Sequence, residues 1–318
     1  MTAAPDITVV IPTYERGELL TPLLTALADQ TLDPSRFEVV VVDDCSRADT
    51  VSVVEKLAAE LPYRLRALRT PTNSGPAVAR NLGWRSTDAP FLAFLDDDCD
   101  PSTGWLEAGL GALVAQPRAG VIQGRTHLPP GSDINPSDWY IWRVIEKPSP
   151  FFEGCNLFFR REALETTGGF DEEIAYHGED AAAGWRVVEA GFERGFSAEA
   201  SMSHPVELRG VGWHIDMGRL ESRIVWCAAK HPGFRKEAFW RPWAYRREDP
   251  ALLLALLGVA LGLRFRPALV LALPYLWWQR PSIRYRTFFR MCFQVPVVDA
   301  VRVAAHIRGS LEHRVFVL

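Results

Sequence analysis

The sequence predicts an α/β fold in which a doubly wound sheet is flanked by helices and followed by a helical C-terminal extension. Short β-branched runs alternate with segments whose apolar residues recur at helical spacing, a pattern typical of such a sheet. Acidic residues directly follow two of these runs, and the C-terminal part is apolar and rich in arginine. With 318 residues, the chain has room for one large domain or two smaller ones.

The predicted strands and helices alternate along the chain. Residues 7–11 form a β-branched run typical of a central parallel strand, which Pro12 is expected to end. Residues 19–27 follow with apolar side chains at helical spacing. The same reasoning predicts further strands at 37–42, 65–68, 91–95, 120–124 and 153–161, and further helices at 49–61, 77–84 and 178–188.

Carboxylates crowd the end of the predicted strand at 91–95. Asp96, Asp97, Asp98 and Asp100 lie within five positions. Open α/β sheets bind their ligands at the carboxyl ends of strands, which is where these acids fall. Crowded carboxylates repel one another, and a hard divalent cation that prefers oxygen ligands offsets this repulsion. We therefore expect a divalent metal here, and a solvated acidic turn is the alternative.

Charge is distributed unevenly along the chain. Residues 241–318 hold twelve arginines, no lysine and four acids, a formal charge of +8. Because the net charge of the whole chain is −4, the remaining residues carry a formal charge of −12. This pattern does not favour nucleic-acid binding. It fits a body that binds cations and a tail that meets an anionic surface.

The cysteines and the N-terminus indicate where the protein works. The five cysteines are scattered and form no CxxC pair, which is typical of a reduced, intracellular compartment. Residues 1–6 show no basic region followed by an apolar core, so we expect no cleavable signal peptide. The predicted location is cytoplasmic.

Six motifs, in order, make the chain similar to the family 2 glycosyltransferases. The resemblance covers about residues 7–232. It implies a GT-A fold, a nucleotide-sugar donor with a UDP-sugar favoured, a divalent Mn²⁺ or Mg²⁺ ion, and inversion at the anomeric carbon. The motifs are Val9–Tyr14, Val41–Ser46, Ala79–Gly83, Leu95–Asp98, Gly168–Asp171 and Gly178–Asp180.

The resemblance also divides the chain into domains. It implies a catalytic domain at 1–235, with a nucleotide-sugar-binding half at 1–126 and an acceptor-binding half at 127–235. Residues 236–318 are then a helical C-terminal region. The acceptor is expected to be a hydroxyl of a lipid-linked or cell-envelope glycan.

The resemblance further implies roles at the donor site. Asp98 is the expected metal ligand, with His204 as another. Asp100 lies two positions beyond Asp98 and would point the same way in an extended segment. The alternative role of Asp43 and Asp44 is a helix cap. The alternative for Arg80 is an exposed position on a helix, and the alternative for His204 is a structural role. The donor-binding residues implied are Pro12, Tyr14, Asp44, Arg80, Asp96 and Asp97.

A general base must lie within hydrogen-bond reach of the acceptor hydroxyl. By the resemblance this base is Asp180, and Glu179 shares the site. The alternative is a helix start at which acids are favoured by the helix dipole. Two cysteines depart from the family pattern: Cys45 stands where the family often has glycine, and Cys99 replaces a frequent acid.

The C-terminal region contains two apolar runs, 251–263 and 268–278. Each is shorter than the roughly 20 residues that span a bilayer. We expect a monotopic hairpin at 251–279, seated on the cytoplasmic face of the membrane. A soluble helical domain packed on the catalytic body is the alternative. Interfacial side chains typical of such a seat are Trp277, Trp278, Arg280, Arg284, Arg286 and Arg290.

Two other functions compete with glycosyl transfer. A sugar-nucleotide nucleotidyltransferase has a similar sheet, but the loop after residue 11 lacks the glycine-rich sequence with Arg and Lys expected of that class. A non-catalytic carbohydrate-binding relative would be expected to have lost acids, whereas Asp98 and Asp180 are both present.

Overall fold

The computed structural model describes residues 4–132, 134, 139–174, 176–283 and 294–318, without the side chains of 280–283. The chain forms two compact units. The first consists of residues 1–130 and 142–205, and the second of 131–141 and 206–318. The domain boundary expected near residue 235 stays a prediction. Arg284, Arg286 and Arg290 lie outside the described residues, as does the side chain of Arg280.

The first unit is built on a mixed sheet. Over the described residues its eight strands run in the order β3-β2-β1-β4-β8-β6-β9-β5. The strands β3, β2, β1 and β4 are parallel, and β8 runs antiparallel between β4 and β6. The strands of this sheet are β1 (Ile7–Thr13), β2 (Phe37–Asp43), β3 (Arg64–Arg69), β4 (Phe91–Leu95), β5 (Asp100–Pro101), β6 (Ala119–His127), β8 (Asn156–Arg160) and β9 (Glu193–Ser203). The strands β7 (Tyr140–Ile141) and β10 (Glu207–Leu208) belong to the second unit.

The central strands are buried on both faces. β2 is buried along its whole length, and β1 at every position except Pro12. Helices on the two faces of the sheet bury such strands, and this confirms the predicted α/β fold. Pro12 does not end β1, because pairing with β2 continues to Thr13. Pairing with β4 stops at Val10, so the missing N–H of Pro12 is tolerated there.

The helices of the first unit follow the predicted spacing, with shorter ends in places. α2 stops at Ala58, three residues before the predicted end. Asp49 caps α2, since its carboxylate accepts a hydrogen bond from the N–H of Ser52 at 3.2 Å. The helices are α1 (Gly17–Ala28), α2 (Thr50–Ala58), α3 (Pro76–Arg85), α4 (Trp105–Ala115), α5 (Arg161–Thr167) and α6 (Glu179–Glu189).

Where the structure describes it, the second unit is helical apart from the short antiparallel pair β7–β10. Its two apolar runs fold back on one another. Gly258 of the first run lies so close to the second run that a Cβ on it would be 2.8 Å from the carbonyl oxygen of Ala268. Among the described residues, no helix combines the length and apolarity needed to cross a membrane. The helices are α7 (Val211–Leu220), α8 (Ser222–Lys230), α9 (Pro232–Ala238), α10 (Glu248–Gly262), a 3-10 helix (Arg266–Ala272), α11 (Leu273–Ile283) and α12 (Val295–Glu312).

A buried ionic network joins three of these helices. Arg302 of α12 donates to Asp249 of α10 at 2.7 Å and to Asp299 at 2.8 Å. The hydroxyl of Tyr275 in α11 donates to Asp299 at 2.6 Å. Burying charges is costly unless each is paired, and here the single guanidinium lies between two carboxylates. This network fixes how α10, α11 and α12 pack together.

Candidate active site

The carboxyl ends of β1 and β4 meet at one edge of the sheet because the two strands are parallel neighbours. The hydroxyl of Thr13 donates to Asp97 at 2.7 Å. Arg16 donates to Asp97 at 3.2 Å and to Asp98 at 2.8 Å. Burial raises the pKa of Asp97 to about 6, against the opposing effects of Thr13 and Arg16. The buried carboxylate of Asp97 therefore links the segment after β4 to the end of β1 through these hydrogen bonds.

Asp98 and His204 face each other across a gap suited to a cation. The Nε2 atom of His204 lies 3.8 Å from Oδ1 of Asp98. The Nδ1 atom lies 3.0 Å from the carbonyl oxygen of Pro205, a contact that places the proton on Nδ1. Nε2 then carries a lone pair that faces a carboxylate oxygen, and the two atoms are close enough to ligate the same cation. The two residues fit a divalent ion.

Cys99 completes the group of potential metal ligands around this gap. Ligand atoms of Asp98, Cys99 and His204 all lie within 4.8 Å of one another. Over the described residues, Asp100 is not part of this group. It is exposed on β5, opposite Ser203 in the antiparallel pair with β9. Metal ligation by Asp100 stays a prediction.

Arg80 connects the acidic end of β4 to the start of α6. Its side chain is buried, so the alternative of an exposed helical arginine is wrong. Its Nη2 donates to Asp96 at 2.9 Å, and its Nη1 donates to Glu179 at 3.1 Å. Burial, followed by the charge of Asp180, raises the pKa of Glu179 to about 7, although Arg80 opposes this shift.

Asp180 stands beside Glu179 at the start of α6 and is held from a different segment. Its Oδ2 accepts a hydrogen bond from the N–H of Gly154 at 2.8 Å. Glu153, one residue earlier, accepts from the side chains of Gln123 and Ser149. Burial raises the pKa of Glu153, and the charge of Asp180 adds to the shift. Asp96, Glu179 and Asp180 therefore gather around the buried guanidinium of Arg80, and Glu153 lies near Asp180.

Asp44 and Tyr14 lie beyond the ends of β2 and β1. Asp44 is buried, and its oxygens accept hydrogen bonds from the hydroxyl of Thr70 and the N–H groups of Ser74 and Gly75. It therefore anchors the turn before α3. Asp49, not Asp44, caps α2, so the helix-cap alternative is wrong. Tyr14 is 42% exposed, so its ring is accessible for stacking.

Several residues of this site were missed by sequence reasoning. The motifs include Thr13 without giving it a role, and Arg16 lies outside them. A cation after one strand and acids after its neighbour were nevertheless a usable signal. The role of Gly154 had no such signal, because it depends on how the segment before β8 packs against α3 and α6.

Comparison with known proteins identifies the family to which the chain belongs. Residues 8–168 match the family described as glycosyl transferase family 2. The chain belongs to this family, and the resemblance inferred from its motifs is confirmed.

Two relatives show how the match extends. A pre-mycofactocin glycosyltransferase of Mycobacterium tuberculosis is 30% identical over 242 residues, which cover 71% of this chain and 48% of the relative. The chain thus spans about half the length of that protein. Glycosyltransferase AglE of Haloferax volcanii is 27% identical over 235 residues, covering 70% of this chain and 74% of the relative.

Solved structures share the fold. The mannosyltransferase PcManGT of Pyrobaculum calidifontis, in complex with GDP-Man and Mn²⁺, aligns with a TM-score of 0.61 at 20% identity over 98% of this chain and 88% of that one. Residues 1–349 of TarS from S. aureus, in complex with UDP-GlcNAc, align with a TM-score of 0.55 at 18% identity, over 97% of this chain and 91% of that one.

Proposed function

We propose that the protein is a metal-dependent inverting glycosyltransferase. It moves a sugar from a nucleotide-diphosphate donor, with a UDP-sugar favoured, to a hydroxyl of a lipid-linked or cell-envelope glycan. The observation that carries this proposal is the placement of Asp98 and His204, with Nε2 and Oδ1 3.8 Å apart, in a chain of glycosyl transferase family 2. Relatives that bind GDP-Man or UDP-GlcNAc support a nucleotide-sugar donor.

The donor is held at the edge where β1, β2 and β4 end. Asp98 and His204 would hold a divalent ion, Mn²⁺ or Mg²⁺, and the bound ion would supply Lewis-acid chemistry to the departing diphosphate. Tyr14 stacks on the nucleotide base, and the carboxylate of Asp44 accepts a hydrogen bond from the imide N–H of that base. The remaining donor-binding residues are Pro12, Arg80, Asp96 and Asp97, and Asp100 supports the metal.

Asp180 acts on the acceptor. Its carboxylate removes the hydroxyl proton while the acceptor oxygen bonds to the anomeric carbon and the bond to the diphosphate breaks. The hydrogen bond from Gly154 fixes Oδ2, which orients the carboxylate before the acceptor arrives. Attack from the face opposite the leaving group inverts the anomeric carbon.

Product analysis tests this function against its alternatives. The full chain is screened by thermal shift against UDP-glucose, UDP-GlcNAc and GDP-mannose, with Mn²⁺ or Mg²⁺, and each donor that binds is then incubated with the protein. Release of UDP or GDP with free or transferred sugar supports a glycosyltransferase. Pyrophosphate consumption or release indicates the nucleotidyltransferase, and binding without turnover indicates the non-catalytic relative.

Binding of the C-terminal hairpin to the membrane surface is part of the same proposal. The hairpin of α10, the 3-10 helix and α11 exposes a run of large apolar side chains, and Arg264 and Arg266 are exposed at its turn. Leucine and aromatic side chains enter the headgroup region, while arginines meet anionic lipids at roughly 1 kcal/mol each. A cytoplasmic-face seat fits a lipid-linked acceptor. Examples of the exposed apolar residues are Leu256, Leu257, Val259, Leu263, Phe265 and Trp277.

A further inference from the structure

Glu179 is a buried carboxyl group with an unequal pair of oxygens. Its Oε1 accepts a hydrogen bond from Nη1 of Arg80 at 3.1 Å. Its Oε2 is fully buried, and no group among the described residues donates a hydrogen bond to it. An ionised carboxylate with an unpaired buried oxygen is unfavourable, and a proton on that oxygen relieves the penalty.

The charges around Glu179 are dominated by acids. Asp180 is its chain neighbour on α6, and Arg80 reaches it from α3. Asp96, at the end of β4, shares the same guanidinium, and Glu153 lies near Asp180 from the segment before β8. One cation therefore faces three carboxyl groups, and Glu153 adds a fourth acid beside Asp180. Burial and Asp180 raise the pKa of Glu179 to about 7, so its charge changes within the working range of an intracellular enzyme.

We propose that Glu179 is a positioning residue whose charge sets the basicity of Asp180, with Arg80 holding Glu179 in place and the N–H of Gly154 holding Asp180. This inference rests on the proposed role of Asp180 as the base. An ionised Glu179 disfavours a second negative charge beside it, so Asp180 takes the acceptor proton more readily. A neutral Glu179 removes that assistance without removing the base.

The proton balance is simple. The acceptor hydroxyl loses its proton to Asp180, and the nucleoside diphosphate leaves as an anion. Glu179 neither gives nor takes a proton in this step, and it does not touch the substrate. Its protonation is an equilibrium with solvent that precedes the step, so kcat contains a factor that follows the charge state of Glu179.

The test compares the pH dependence of kcat in the full-length wild type, in Glu179→Gln and in Glu162→Gln. Glu162 is an exposed acid on α5 and serves as the matched control. The reaction followed is release of UDP or GDP from the best of UDP-glucose, UDP-GlcNAc and GDP-mannose, between pH 5.5 and 9. We expect the wild type and Glu162→Gln to show a step in kcat of about 3–10-fold centred near pH 7, as expected for a modest change in base strength.

Glu179→Gln is expected to lack this step. The donor KM is expected to stay within about twofold, because the amide oxygen of glutamine can still accept the hydrogen bond from Arg80 of the proposed donor site. A uniform loss of kcat that keeps the step would show a purely structural role and overturn the inference. A wild-type kcat that is flat between pH 6 and 8 overturns it without any variant. An active Asp180→Asn protein would instead overturn the proposed base, so the two failures are distinguishable.

Discussion

The guanidinium of Arg80 occupies the space that a side chain at Gly154 would need. A Cβ built on Gly154 would lie 2.7 Å from Nη2 of Arg80. The N–H of the same glycine donates to Asp180 at 2.8 Å. A single residue without a side chain therefore lets the buried cation reach its partners and also holds the proposed base.

Gly154→Ala is expected to displace Arg80 and to weaken its ion pairs with Asp96 and Glu179. Overpacking of a well-filled site costs typically about 1–3 kcal/mol, and we expect unfolding free energy to fall by this amount in urea denaturation. Gly111→Ala is the matched control, since its Cβ would meet nothing within 4 Å in α4. That control is expected to gain about 0.5–1 kcal/mol of helix stability. If the two substitutions changed the free energy of unfolding equally, steric crowding between residue 154 and Arg80 would be contradicted.

Asp98→Ala is expected to abolish the Mn²⁺-dependent part of nucleotide affinity, because the carboxylate facing His204 is lost. Calorimetric titration of UDP and GDP, with and without Mn²⁺, measures this. His204→Ala is expected to weaken the same metal-dependent part, and Asp88→Ala, at an exposed position, to leave it intact. Unchanged metal-dependent affinity in Asp98→Ala would show that the ion binds elsewhere.

Asp180→Asn keeps the shape of the side chain and removes its basicity. We expect kcat to fall by about 10²–10⁴-fold, the range typical of a lost general base. Donor affinity, measured by thermal shift or calorimetry, should change little because the base acts on the acceptor. A variant with near-wild-type kcat would transfer the role to Glu179 or another group.

The raised pKa of Glu179 also affects stability. Its value of about 7 in the folded protein exceeds the ordinary value of 4.5, so the native state binds more protons than the unfolded chain between these pH values. Stability of the wild type therefore falls as pH rises through that window. Glu179→Gln lacks this loss, and its unfolding free energy relative to wild type should rise by on the order of 1–3 kcal/mol between pH 5 and 8. Thermal or urea unfolding at both pH values measures the difference, and a pH-independent difference would contradict the shift.

If the hairpin binds the membrane, a single acidic substitution among its exposed apolar residues is expected to weaken lipid binding. Leu263 and Phe265 are 89% and 63% exposed at its turn. Leu263→Glu and Phe265→Glu are expected to reduce sedimentation of the full chain with anionic phosphatidylserine vesicles. Val114→Glu, at a position 62% exposed on α4, is the control for an added charge on an apolar surface residue. No sedimentation of the wild type, or equal sedimentation of all four proteins, would argue against the seat.

Much of the fold could be predicted because apolar periodicity depends on local sequence. The alternation of strands and helices was confirmed, but ends such as Pro12 and Ala58 were misplaced, and β9 and α5 were not predicted. Pro12 was misjudged because its tolerance depends on where pairing with a neighbouring strand stops.

The site was less predictable, because its contacts join distant segments. The pair Arg80–Glu179 spans 99 positions, and it depends on how α3 and α6 pack against the sheet. Sequence motifs brought both residues to the site, but they could not show that one cation would bind two of its acids. For the same reason, the anchoring of residues 70–75 by Asp44 could not be read from the motif that contains it.

In the proposed donor site, the base of the nucleotide would compete with three hydrogen-bond donors for the carboxylate of Asp44. A base that recruits this carboxylate must draw it away from Thr70, Ser74 or Gly75, and so loosens the turn that begins α3. Since α3 also carries Arg80, the disturbance extends to the partners of that guanidinium. Preference for one base over another would then be set by the stiffness of the turn, and a change at Thr70 could retune it without altering any atom that meets the nucleotide.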